Sequence, residues 1–288
     1  MLVFESWLTE GIAELSYMVG DDELGKVFVV DPRPDVEVYL DKARELGVCI
    51  THVFETHIHA DFMSGARELV SRCGSAKLYA SGESDASYEF EVKKLKDGDK
   101  FEFGFVNLTA RFTPGHTPEH MSYELCRSEQ ENVPFAVLTG DSLFVDSVGR
   151  PDLLGEDETE ELVEKLYRTL TEYYLNLEDN VIIYPCHGKG SACGPAIGER
   201  IHSTIGFERK YNRFLQHPDL ETFKDAMLGD APPAPRHYSR LKKINRAGPP
   251  LHGAGPVVPA ILSQAFHQKI KEDSKSDFIK SYLRKKRL

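Results

Sequence analysis

Apolar and polar positions along the chain fall into short runs with two different periods. Positions 26 to 30 form a near-continuous apolar run that stops at Asp31 and Pro32, which predicts a strand buried on both faces. A helix is predicted next, with Asp35 as its cap, positions 36, 39, 40 and 43 as one apolar stripe and Gly47 as its stop. Positions 49 to 56 predict a second strand. Positions 64 to 73 predict a second helix with Ser64 as N-cap and Gly74 just past its end. From 101 to 113 the period becomes two, with Val106, Leu108, Ala110 and Phe112 interleaved with polar residues and Gly104 marking a turn. Strands are predicted over 135–138 and 181–184, with an acidic amphipathic helix over about 157–174 between them. This mixture predicts an α+β chain whose sheets are covered by helices.

Four of these strands run out into turns that carry metal-ligating side chains. The strand at 49–56 ends in Thr56-His57-Ile58-His59-Ala60-Asp61, that at 106–113 in Pro114-Gly115-His116, that at 135–139 in Gly140-Asp141, and that at 181–184 in Pro185-Cys186-His187. Ligands gather at strand ends because the sheet fixes their backbone while the loop leaves coordination positions open. Alternate residues of an extended segment share a side, so His57 and His59 can converge with Asp61 next in line. A lone HxH is equally well a strand end with satisfied histidines; the same-order company of GHTPEH and TGD decides for a metal site. His120 reads as structural, since Pro118 separates it from His116. The glycine-rich stretch 188–194 fits neither nucleotide-loop spacing and reads as a site loop.

The segments T-H-I-H-A-D, T-P-G-H-T-P, T-G-D-S-L and Y-P-C-H-G, spread over residues 1 to about 230, resemble the metallo-β-lactamase superfamily. Within it, E-T-H-I-H-A-D-F-M-S-G, G-R-P-D-L at 149–153 and Y-P-C-H-G-K-G-S-A-C-G at 184–194 resemble the persulfide dioxygenase branch, in particular forms joined to a rhodanese domain. The resemblance implies an αββα sandwich with its metal at the rim between the sheets. It implies one Fe(II) per chain on His57, His116 and Asp141, a two-imidazole, one-carboxylate triad with positions left for water, O₂ and substrate. The superfamily's hydrolases usually add a second metal on the Asp and final His of HxHxDH, a later His and a shared Asp. Here Asp61, His187 and Asp141 remain, but Phe62 stands at the final His, and a hydrocarbon ring cannot coordinate. A mononuclear centre is therefore expected, with His59, Asp61 and His187 holding ligands or water. Arg150 is a candidate for a carboxylate of the thiol carrier, or for a salt bridge to Asp152. Cys186 and Cys193 are either sulfur relays or small buried hydrophobes.

The expected activity is oxidation of a low-molecular-weight persulfide, glutathione persulfide above all, by O₂ and water to sulfite and thiol. The alternatives are a glyoxalase II-like thioester hydrolase, against which Phe62 argues, and a non-enzymatic sulfur-binding module. The 288 residues carry 35 Lys plus Arg against 46 Asp plus Glu, a net charge of −11 that disfavours nucleic acid and anionic lipid. Five cysteines without a CxxC pair, together with the absence of a basic leader or an apolar span, point to a cytoplasmic protein. Beyond the small persulfide and O₂, a separate rhodanese and a second copy of the chain are candidate partners. Composition shifts after about 230. A catalytic unit with a helical extension from about 195 is expected over 1–255, and a basic tail over 256–288, echoing the start of a rhodanese domain but too short for sulfurtransferase activity.

Overall fold

A computed structural model describes residues 1–84, 87–229 and 234–253. The first sheet holds six strands side by side in chain order: β1 (Leu2–Thr9), β2 (Glu14–Asp21), β3 (Lys26–Val30), β4 (Cys49–Phe54), β5 (Lys77–Ser81) and β6 (Lys93–Leu95). β3 to β6 run parallel, with α1 (Glu37–Leu46) and α2 (Ala66–Cys73) in the crossovers either side of β4. The second sheet is built from β7 (Lys100–Phe103), β8 (Val106–Phe112), β9 (Met121–Arg127) and β10 (Pro134–Gly140). A two-stranded ladder of β11 (Leu143–Phe144) and β12 (Ser147–Val148) follows, before β13 (Ile182–Pro185) and β14 (Ser203–Thr204) complete that sheet in the order β14-β13-β10-β9-β8-β7.

The period-two pattern explains the layering. Leu15, Tyr17 and Val19 of β2, Phe28 and Val30 of β3 and Phe54 of β4 face Phe103, Leu108, Tyr123 and Leu138 of the second sheet in one buried core. The other face of β3, Val27 and Val29, packs with Met18 and Val53 against Tyr39 of α1 and Leu69 of α2. The apolar run at 26–30 is thus buried on both faces, as predicted. On the far side Val137 and Ile183 pack against Val163 and Leu166 of α3 (Glu156–Arg168) and helices that follow it. Four layers result, helix–sheet–sheet–helix, the αββα arrangement of an α+β protein.

Local departures from the sequence reading have physical causes. Asp35 does not cap α1; Val36 takes the cap position without a side-chain bond and Asp35 lies 3.5 Å from Arg33. Gly47 ends α1 in the left-handed region as expected. α2 starts at Ala66 rather than 64, because the Ser64 hydroxyl donates to Glu55 and accepts the Ala66 N–H at 3.0 Å. A Cβ on Gly65 would meet the Arg33 carbonyl at 2.1 Å, so only glycine lets the helix start against that turn. The acidic helix ends at Arg168 and continues as a π-turn over Thr169–Tyr173.

Beyond β14 come α4 (Ile205–Tyr211), capped by Thr204, α5 (Leu220–Leu228), capped by Asp219, and α6 (Tyr238–Ala247). The segment around α6 crosses back onto the first half of the chain: Arg67 donates to the Pro249 carbonyl at 2.8 Å and the Glu89 N–H to the Arg246 carbonyl at 2.9 Å. No helix among the described residues is long and apolar enough to cross a membrane. The basic tail expected over 256–288 lies outside the described residues.

Candidate metal centre

The ligand-bearing loops meet along one rim of the two sheets because strand pairing puts them there. Parallel pairing of β10 with β13, Gly140 opposite Pro185, sets Asp141 beside Cys186 and His187. Parallel pairing of β3 with β4, Val30 opposite Phe54, sets Asp31 beside Thr56. The sheets are joined at this rim by Met121 N–H to the Thr56 carbonyl (2.7 Å) and Tyr123 OH to the Glu55 carbonyl (2.5 Å).

Of the sequence-derived site residues, His57, His116 and Asp141 offer ligand atoms that all lie within 4.8 Å of one another. The His116 Nε2 is 3.4 Å and the His57 Nε2 3.8 Å from Asp141 Oδ2. Each ring is oriented through its other nitrogen. His116 Nδ1–H donates to the Arg150 carbonyl at 2.9 Å. The Thr56 hydroxyl gives its proton to Asp31 Oδ2 at 2.8 Å, so its oxygen accepts from His57 Nδ1–H at 2.9 Å. Both Nε2 lone pairs are left free to coordinate. Burial, then the neighbouring imidazoles, holds His57 well below the ordinary histidine pKa, and burial also lowers His116, so both rings are neutral, as ligation requires. Asp141 Oδ2 is buried and has no hydrogen-bond partner. Two imidazole lone pairs facing an unpartnered carboxylate oxygen are three acceptors without a donor, an arrangement that a cation satisfies. The residues present therefore fit a metal ion.

The remaining predicted residues surround this triad. His187 is clamped between two carboxylates, Nδ1 to Asp141 Oδ1 and Nε2 to Asp61 Oδ2, each at 2.7 Å. Burial opposes its charge, but Asp141 and Asp61 overcome it and raise its pKa well above the usual value. His59 directs Nε2 at Asp31 and Glu55, both at 3.0 Å, while its buried Nδ1 has no partner. Phe62 is buried and its ring lies tilted against His59, 4.4 Å between ring centroids. Arg150 is buried, with Nε and Nη2 on the two oxygens of Asp152 at 2.8 and 2.5 Å; its backbone carbonyl is what touches the site. His120 accepts the Asp141 N–H on Nε2 at 3.0 Å and pairs with the Thr113 hydroxyl through Nδ1, which makes it the support of Asp141's backbone. Cys186 and Cys193 are both buried, and burial raises both thiols well above their usual pKa.

Three residues of the site escape the sequence reading. Asp31, read only as the stop of a strand, accepts from Thr56 N–H, Thr56 OH and His59 from a left-handed backbone (φ 49°). Glu119 accepts the Ile58 N–H at 2.9 Å, and Asn245 reaches the same loop from α6. The only signal for Asp31 is its place at the end of a strand next in order to the HxHxD strand; Asn245 leaves none. A narrow cleft walled by Thr117, Leu153, Leu154, Tyr238 and Lys242 reaches His116, while His57 and Asp141 lie buried behind it.

The family model of the metallo-beta-lactamase superfamily matches residues 11–187. The mitochondrial persulfide dioxygenase ETHE1 of Bos taurus is 31% identical over 180 residues, which cover 60% of this chain and 63% of that protein, so the match spans under two thirds of that relative. A hydroxyacylglutathione hydrolase of Polaromonas sp. (strain JS666) is 31% identical over 274 residues, covering 85% of this chain and 98% of the hydrolase. Among solved structures, a metallo-beta-lactamase from Staphylococcus aureus subsp. aureus COL superimposes with TM-score 0.82 at 33% identity, over 89% of this chain and 75% of that one. ETHE1 from Myxococcus xanthus does so with TM-score 0.72 at 27% identity, over 85% and 98%. With its helix–sheet–sheet–helix layers and its rim of strand-end ligands, the chain belongs to the metallo-beta-lactamase superfamily.

Proposed function

We propose that the chain is an Fe(II)-dependent persulfide dioxygenase, converting a small persulfide, O₂ and water to the thiol and sulfite. The observation that carries this reading is Phe62, whose ring lies against His59 where a dinuclear hydrolase needs an imidazole, beside an intact triad of His57, His116 and Asp141. His57, His116 and Asp141 would hold an Fe(II) ion, which would supply the redox chemistry for the reaction of O₂ with an anionic sulfur. Two neutral imidazoles and one carboxylate leave a formal charge of +1 there, which favours a persulfide anion over a neutral thioester.

The protein's own groups do the rest. Thr56 and the Arg150 carbonyl fix the two rings; the His120 imidazole fixes the Asp141 backbone. Leu153 and Leu154 line the cleft with apolar surface that limits water around the sulfur, and Lys242 offers a positive charge to a carboxylate on the thiol carrier. Arg150 is not given that role, because its guanidinium fork lies on Asp152. A separate rhodanese, transferring sulfane sulfur to the carrier thiol, is the candidate source of the persulfide.

A second reading, a thioester hydrolase, is favoured by the hydrolase relative that matches 85% of the chain and by the retained Asp61 and His187. Anaerobic purification with metal quantitation, followed by oxygen-electrode assay on glutathione persulfide, separates the two. One Fe per chain and O₂ uptake are expected; two Zn per chain and thioester cleavage without O₂ uptake would replace the first reading with the second. His57→Ala and Asp141→Ala should lose iron with the fold retained, and either variant keeping both iron and turnover would sink the ligand assignment.

A further inference from the structure

We infer that α6, which lies outside the 11–187 family match, is a working part of the metal centre: Asn245 latches the backbone of the HxHxD loop, and the same helix walls the substrate cleft. The Asn245 side chain is buried and puts both of its donor hydrogens and one acceptor lone pair on one loop. Its Nδ2 donates to the carbonyls of His59 at 2.8 Å and Phe62 at 2.7 Å, and its Oδ1 accepts the Ser64 N–H at 3.0 Å. These contacts span 181 to 186 positions of chain. Without the amide, two carbonyls and one N–H of a buried loop lose their partners at once, and that loop carries His57, His59 and Asp61.

Tyr238, Leu241, Lys242 and Asn245 recur at i, i+3, i+4 and i+7, so they share one face of α6. Tyr238 and Lys242 line the cleft beside His116, while Asn245, two turns on, holds the loop behind His57. The helix is anchored at its far end by Arg246 to Ser87 and by Arg67 to the Pro249 carbonyl, contacts that are separate from the Asn245 latch. Asn245 is a positioning residue in this arrangement, since it touches neither substrate nor metal.

The inference rests on the metal site of the proposed function and not on its persulfide chemistry, so its test reads metal binding apart from turnover. The apo protein and its Asn245→Ala and Asn245→Asp variants are titrated with Co(II) against a competing chelator, with the visible Co(II) bands and the thermal midpoint recorded. Asn245→Asp keeps the acceptor for Ser64 but puts a carboxylate against two carbonyls, so it covers the case in which the alanine variant fails to fold. The control is Arg246→Ala, on the same helix and away from the loop. Loss of partners of this kind weakens a metal site about 10- to 100-fold. Expected are Co(II) affinity at least about tenfold weaker and shifted bands in the folded Asn245 variant, with Arg246→Ala lowering only the thermal midpoint. Native affinity and native bands in a folded Asn245 variant, or equal weakening in Arg246→Ala, would overturn the latch whether or not the enzyme oxidises persulfides.

Discussion

Asp31→Asn isolates the hydrogen-bond chain that sets the His57 tautomer. Asparagine has the same shape and tolerates the left-handed backbone at this position (φ 49°), so the β3 turn is kept. In the native chain Asp31 Oδ2 takes the Thr56 hydroxyl proton at 2.8 Å, and the Thr56 oxygen in turn takes the His57 Nδ1 proton at 2.9 Å. With the amide oxygen kept on the Thr56 N–H and His59, the new NH₂ faces the Thr56 hydroxyl, which has then lost its acceptor. That hydroxyl turns to His57 Nδ1, and the ring proton moves to Nε2, pointing at Asp141 where a lone pair is needed. The opposite amide orientation sets NH₂ against the Thr56 N–H and the His59 ring, which is worse. Either way a charge-assisted bond of about 1.5–3 kcal/mol is lost. At about 1.4 kcal/mol per tenfold this weakens metal binding roughly 10- to 100-fold. Chelator competition on the apo protein measures the affinity, and ¹⁵N shifts of the His57 ring report which nitrogen carries the proton. An Asp31→Asn protein that binds metal with native affinity and keeps Nε2 unprotonated would refute the relay.

Phe62→His should add the missing imidazole, so that zinc titration followed by metal analysis finds a second equivalent where the native chain saturates at one; two tight equivalents in the native chain would end the mononuclear reading. Glu14 is buried, and burial pushes its pKa from the ordinary 4.5 up to about 8. Because the folded state holds the proton, its stability is full below 4.5 and falls as pH rises toward 8, by up to about 1.4 kcal/mol per pH unit; Glu14→Gln should flatten urea midpoints between pH 6 and 8, and an unchanged slope counts against it. His52 stacks on Tyr79 at 5.2 Å, and burial, then Lys77 and Lys26, lowers its pKa to about 4. Its contribution has the opposite sign, full above 6.5 and lost as pH falls through about 4, at well under about 1.4 kcal/mol per unit because the ring keeps some solvent contact; His52→Phe should remove that acid sensitivity in the same assay.

What the sequence reveals here is what repeats with a period or sits beside a strand end. The run at 26–30 and the alternation at 106–112 place both inner sheet faces, because burial on one side leaves a mark at every second residue. His57, His116 and Asp141 are legible for a related reason, each following a readable strand directly. Asp31 is not, although it does as much for His57 as any residue, because a single acid before proline is also what ends an ordinary strand. The β1–β2 hairpin goes unread: β2 is buried along its whole length, so Leu15 to Val19 carry less polarity contrast than a one-sided strand. Arg150 shows the limit of reading by side-chain type, since the site uses its carbonyl and its guanidinium is committed to Asp152. Asn245 is invisible in principle, because three hydrogen bonds from one amide across 180 residues leave no local pattern.

The position of the triad on the seam between sheets has an energetic consequence. His57 comes from the first sheet, His116 and Asp141 from the second, so their relative placement is fixed by bonds that cross the seam rather than by either sheet alone. Four such bonds lie close by: Met121 N–H to Thr56, Tyr123 OH to Glu55, Tyr17 OH to Pro185 at 2.6 Å and Leu15 N–H to Cys186 at 2.6 Å. Their donors and acceptors flank a close-packed core of Tyr17, Phe54, Tyr123 and Leu138, which cannot slide without opening voids. A metal that binds this triad binds only the aligned pair of sheets, so its binding free energy adds to the stability of their packing. The same seam buries the three ligands before any cation arrives: burial holds the His57 and His116 pKa values down, and at Asp141, where burial opposes ionisation, His187 overcomes it and keeps the carboxylate ionised, the protonation states that ligation needs.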